Sequence, residues 1–185
     1  MRMLDRWRTE RDLRARASAF AAAVAREPAP ELVAWLAESA TGGDVDHAAW
    51  ELRYARRAIG LIAAQRDALD DRTGSLVAAA LTERFRADPR IARGRGELAE
   101  RQFNARLAAF GDAVRERGVG ATLPERLAAI LLRFAGGEGH PPSPDAVHTL
   151  AASVSALLIE ANDELRRHFG QVALPDDVKP SALIR

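Results

Sequence analysis

Residues 44–69 carry apolar side chains on two helical faces at once. Val45, Ala48, Leu52, Ala55, Ile59 and Ile62 alternate at spacings of three and four, and Arg66 and Leu69 continue the series. Trp50, Tyr54, Ala58 and Leu61 form a second stripe on the same segment. A helix with one apolar face lies at the edge of a bundle, whereas one with two must be covered from both sides. The segment is therefore expected at the centre of an all-α bundle, with Asp44 as its N-cap.

The rest of the chain is punctuated as helices. Residues 3–26 place Leu13, Ala17, Phe20 and Val24 on one face and stop before Pro28. A short helix over 30–40 starts at Pro30 and ends at Thr41-Gly42-Gly43. A helix over 74–87 uses Val77, Leu81 and Phe85 and is stopped by Pro89, and one over 96–117 uses Ala99, Phe103, Leu107, Phe110 and Val114. Thr122-Leu123-Pro124-Glu125 has the spacing of a capping box, followed by Leu127, Ile130, Leu131 and Phe134 and a stop at Gly136-Gly137. Ser143 caps the last helix, which runs from Pro144 to Gly170 through Val147, Leu150, Val154, Leu157, Ala161 and Leu165. No strand alternation or internal repeat stands out. The expected fold is a single-domain helical bundle of six or seven helices, residues 1–170, followed by an extended C-terminal tail, residues 171–185.

Composition agrees and narrows the function classes. With 185 residues and 48% hydrophobic side chains the chain can bury a sizeable core, which excludes general disorder. A formal charge of +1 provides no global pull toward nucleic acid or anionic membrane, so any basic function is local. Cysteine is absent, which removes disulfides, thiolate–zinc sites and cysteine nucleophiles. The stretch at 17–25 follows Asp5, Glu10 and Asp12 and reads as a helix, and the apolar run at 147–161 is shorter than the roughly 20 residues a membrane span needs. A cytoplasmic protein without membrane insertion is expected.

Three aspartates, Asp67, Asp70 and Asp71, pose the sharpest question. On a continuous helix they would crowd one face and chelate Mg²⁺, as a metal site and a Mg-dependent enzyme would require. They resemble, in inverted order, the aspartate-rich helices of isoprenoid synthases, which imply a second such helix; the nearest stretch is EANDE at 160–164. The preferred reading is a turn, because Asp70 and Asp71 precede Thr73-Gly74-Ser75, with Asp70 also pairing Arg66 on the apolar seam. One unbroken helix over 44–87 is the alternative, since Thr73, Leu76 and Ala80 continue the spacing.

Other chemistry is sparse. Asp44, His47 and Glu51, and separately Glu164 and His168, have helical metal-ligand spacing, while His168 also suits the negative end of the last helix. Glu97 and Glu100 resemble the paired glutamates of helical nucleotide pyrophosphohydrolases, though the second acidic pair of that family is missing. No nucleophile triad or phosphate-binding glycine loop is present, and no cofactor is expected.

The most distinctive polar stretch is RFRADPRIARGRG at 84–96, where Arg84, Arg86, Arg90, Arg93 and Arg95 face one acid, Asp88. Guanidiniums on an inter-helix loop suit carboxylate or phosphate. Trp7, off the core stripe and among arginines, has the composition of an interface hot spot. The expected function is a non-catalytic helical adaptor or assembly subunit acting through protein–protein contacts, with a protein partner or a homo-oligomer. Its partner-binding residues are Trp7, Arg84, Arg86, Arg90, Arg93 and Arg95. The alternative is a nucleic-acid-associated accessory protein that contacts phosphates through residues 84–95. In the tail, Leu174, Val178, Leu183 and Ile184 beside Asp176 and Asp177 are expected to dock on the bundle or on a neighbouring subunit.

Overall fold

The computed structural model describes residues 2–67, 71–116, 120–137 and 141–170; of residues 2–8 and residue 67 only the backbone is described. Seven helices account for nearly all of it: α1 (Arg2–Val24), α2 (Pro30–Ser39), α3 (Val45–Asp67), α4 (Asp71–Arg86), α5 (Gly96–Arg115), α6 (Leu123–Gly136) and α7 (Pro144–Phe169). Among the described residues there is no strand. No helix among the described residues is long and apolar enough to cross a membrane.

The two apolar faces of α3 decide the arrangement. This helix packs against all six others, and α4, α1, α7, α6 and α5 touch in that order around it. Ala48, Leu52, Ala55 and Ile59 on the first stripe and Tyr54, Ala58 and Leu61 on the second are all buried. Gly60 lies where α1 crosses α3, and a Cβ there would come within 2.8 Å of the Val24 Cβ. The missing side chain is what lets the two backbones approach so closely.

Helix ends follow the side chains available to cap them. Asp44 Oδ1 accepts the His47 N–H at 2.9 Å, and Ser143 Oγ accepts the Ala146 N–H at 3.2 Å. At α6 the reciprocal capping box forms: Thr122 Oγ1 accepts from the Glu125 N–H at 3.4 Å and the Thr122 N–H donates to Glu125 Oε2 at 2.7 Å. The Thr122 N–H and the Thr122 hydroxyl, which also donates to Glu125 Oε2 at 2.7 Å, hold the Glu125 carboxyl below the ordinary glutamate range.

Two expectations around the aspartates are corrected. Arg66 is exposed, so the burial expected of it on the seam does not occur; its expected pairing with Asp70 lies outside the described residues. The buried seam ends at Ile62 on this side, and at the other end Val45 is 58% exposed. Thr73, Gly74 and Ser75 are not a turn but lie inside α4, which begins at Asp71. Thr73 is buried in line with Val77, Leu81 and Phe85, and Ser75 Oγ donates back to the Asp71 carbonyl at 2.7 Å, so burial overrides the turn preference of these residues. Helices α3 and α4 pack against each other and both touch α1, which excludes one continuous helix over 44–87. Asp70, Leu69 and the tail docking expected of residues 171–185 lie outside the described residues.

Candidate binding site

The segment between α4 and α5 turns twice. Pro89 stops α4, the Ile91 N–H bonds the Asp88 carbonyl at 3.1 Å, and the Arg95 N–H bonds the Ala92 carbonyl at 3.0 Å, with Gly94 at φ 79°. Its anchor is Asp88, the one acid of the arginine-rich stretch, which is buried. The Asp88 carboxylate accepts from Arg57 Nη2 at 2.8 Å, from Arg90 Nε at 2.8 Å and Nη2 at 3.0 Å, and from the Arg90 backbone N–H at 3.1 Å. Burial pulls the Arg57 guanidinium down from its ordinary value and Asp88 opposes that shift, so the pair stabilises itself only as a pair.

Glu27, in the connection between α1 and α2, extends this network. Its carboxylate accepts from Arg53 Nε at 3.1 Å and Nη2 at 2.8 Å, and from Arg90 Nη1. Arg53 in turn lies over the Trp50 ring, 5.1 Å from its centroid.

The five arginines expected to act together therefore divide. Arg90 is committed to Asp88 and Glu27, and Arg86 to Glu100, where the shared hydrogen bond raises the arginine and lowers the glutamate from their ordinary values. Arg84, Arg93 and Arg95 are exposed, and among the described residues none of them pairs with a carboxylate. Trp7 lies in α1 ahead of the described side chains.

Beneath this loop opens a cleft of about 470 Å³, walled by His47, Trp50, Glu51 and Tyr54 of α3 and by Leu98, Gln102 and Arg106 of α5, with Ile91 and Arg95 at its rim. Its floor is a second buried ion pair. Arg106 grips Glu51 with two parallel bonds, Nε to Oε2 at 2.8 Å and Nη2 to Oε1, and His47 Nε2 stands 3.3 Å from Glu51 Oε1. The Arg106 guanidinium is held between the Tyr54 ring, at 5.1 Å, and the Phe134 ring, at 4.5 Å. Burial pushes the Tyr54 phenol up, so it stays protonated and donates to Gln102 Oε1 at 3.1 Å.

No family model, no curated protein and no solved structure matches this chain. The functional reading rests on the geometry alone.

That geometry separates the remaining candidates. Asp44 caps α3 while Glu51 is taken by Arg106, and Glu164 meets Arg26 at 3.2 Å, Arg167 at 2.6 Å and His168 at 3.5 Å. Among the described residues, no three histidine or acidic side chains converge as a metal site. Asp71 opens α4 exposed, the Asp67 side chain and all of Asp70 lie outside the described residues, and Glu100 is held by Arg86. A second cavity of about 440 Å³ lies between α2, α3 and α7, lined by Leu32, Trp35, Leu52, Leu150 and Leu157. The cation at its edge, Arg56, is already paired with Glu160 at 2.8 Å.

Sequence reasoning did not find Glu27, Arg106 or the cleft itself. The available signal was Glu51, a charged residue inside the buried arc of α3, which demanded a partner from elsewhere.

Proposed function

We propose that this chain is a non-catalytic adaptor or assembly subunit that binds an acidic segment of a protein partner through the 84–95 region. The observation that carries the reading is the division of the arginines: Arg84, Arg93 and Arg95 stand exposed without carboxylates among the described residues. The loop that presents Arg93 and Arg95 is pinned by a buried aspartate that does not use them. Guanidiniums that contribute nothing to their own fold are available to a partner, and acidic side chains match them in charge and in planar geometry.

A nucleic-acid partner would use the same three charges, but a single-strand binder stacks successive bases and so needs several platforms in a row, where the cleft can take one ring. Among the described residues no aromatic side chain is exposed, and Trp50 is half-buried with Arg53 over one face. The acidic protein segment is therefore the better supported ligand.

The test is fluorescence anisotropy with a labelled aspartate- and glutamate-rich peptide and, in parallel, a labelled single-stranded oligonucleotide, both at low and at physiological salt. The peptide is expected to bind, and replacing Arg84, Arg93 and Arg95 together with glutamine is expected to abolish binding while circular dichroism remains helical. Oligonucleotide binding stronger than peptide binding, with a steep salt dependence, would replace this reading with the nucleic-acid one.

A further inference from the structure

Resting on the adaptor reading, we propose that the acidic partner segment inserts an aromatic side chain into the cleft between α3, the 87–95 loop and α5. The charged groups of the floor are already paired with one another, and the Tyr54 hydroxyl is already bonded. Arg106 and His47 occupy Glu51, and the Tyr54 hydroxyl is bonded to Gln102. A charged group lowered onto that floor would lose its hydration without finding a free partner, so the cleft selects an apolar group.

The walls are apolar where they are open. Trp50 is half-buried, Ile91 is half-buried at the rim, and Leu98 is 38% exposed, one of the few large apolar side chains so exposed among the described residues. The Trp50 and Tyr54 rings lie tilted with centroids 5.6 Å apart, an arrangement that a third ring extends by edge or offset contact. A volume of about 470 Å³ holds one aromatic side chain with its flanking peptide groups.

The ligand is a segment and not a free small molecule because of where the charges lie. Arg95 borders the cleft, whereas Arg84 and Arg93 do not. Only a chain that continues past the cleft meets all three. The recognition element is therefore an extended run of acidic residues around one aromatic anchor, the usual division between a buried hot spot and a charged rim.

The experiment compares two labelled acidic peptides, identical except for phenylalanine or alanine at the centre, on the full chain by fluorescence anisotropy. The phenylalanine peptide is expected to bind about tenfold or more tightly. Leu98→Gln, which makes an exposed wall position polar without adding charge, is expected to shrink that difference while the helicity is unchanged. Equal binding of the two peptides would overturn the aromatic anchor and leave the adaptor reading standing. Failure of both peptides to bind at low salt would overturn the adaptor reading and the anchor with it. Phenylacetate displacing the peptide as effectively as an unlabelled peptide would overturn the extended-segment inference.

Discussion

At the scale of residues, the buried ion pairs are the costly features of this fold. Glu51 and Arg106 stand almost wholly out of water, at 2% and 11% side-chain exposure, so each depends on the other. Removing the arginine alone strands the carboxylate: Arg106→Met should destabilise by ~3–5 kcal/mol, whereas Arg106→Met with Glu51→Leu should recover most of that loss. Urea titration of the two variants checks it, and equal destabilisation of both would show that packing, not charge, dominates here. Gly60 is the other sensitive position. Gly60→Ala improves helix propensity but drives a methyl into Val24 at the foot of its side chain, where rotation cannot relieve it. We expect a net loss of ~1–3 kcal/mol, with part of it regained on adding Val24→Ala. Glu51 and Arg57 fall inside the arc of a helix with two apolar faces, a signal of burial that the sequence reading left unused. Their partners carry no such signal, since Arg106 and Asp88 lie 55 and 31 residues away and no local spacing encodes so distant a pairing.

At the scale of elements, helix ends were the most legible features and the α3–α4 boundary the least. Caps at Asp44, Thr122 and Ser143 act through neighbours three residues on, which is the range over which sequence reasoning works. The start of α4 depended instead on Thr73 finding a place in the core, a tertiary fact. The α6 cap gives a pH prediction. The folded Glu125 carboxyl titrates below its ordinary value of 4.5, so its contribution is fully present above that value and is lost as pH falls through the lower folded one. Glu125→Gln should therefore lower stability near neutrality and flatten the acid limb of the stability curve, measured by thermal melts across the acidic range. The α4–α5 loop behaves differently. Glu27 is 54% exposed where it bridges Arg53 and Arg90, so its loss should change stability by less than about 1 kcal/mol. Glu27→Gln should nevertheless tighten acidic-peptide binding, because it removes a negative charge from the loop and releases Arg90 Nη1 beside the cleft. Unchanged or weaker peptide affinity would show that Glu27 does not compete with the partner.

At the scale of the whole molecule, one helix sets the plan. The double stripe of α3 places it at the centre, and the other helices each bring a buried face to it or to its neighbours. The cleft was invisible in the same sequence because it is made where residues 47–54, 90–92 and 95–106 meet, and none of those stretches shows concavity by itself. The shared core gives the last prediction. Its buried residues run from Ala17 to Leu165, contributed by all seven helices, and form one continuous cluster with α3 inside it. A chain ending at Gly170 retains every one of those residues. It should therefore keep the helical circular dichroism of the full chain and unfold in urea in a single transition, with a slope unchanged within about 10–15%, because that slope follows the surface exposed on unfolding. A clearly smaller slope or a second transition in the shortened chain would mean that residues 171–185 belong to the cooperative unit. The centre of the fold would then extend beyond the helices that surround α3.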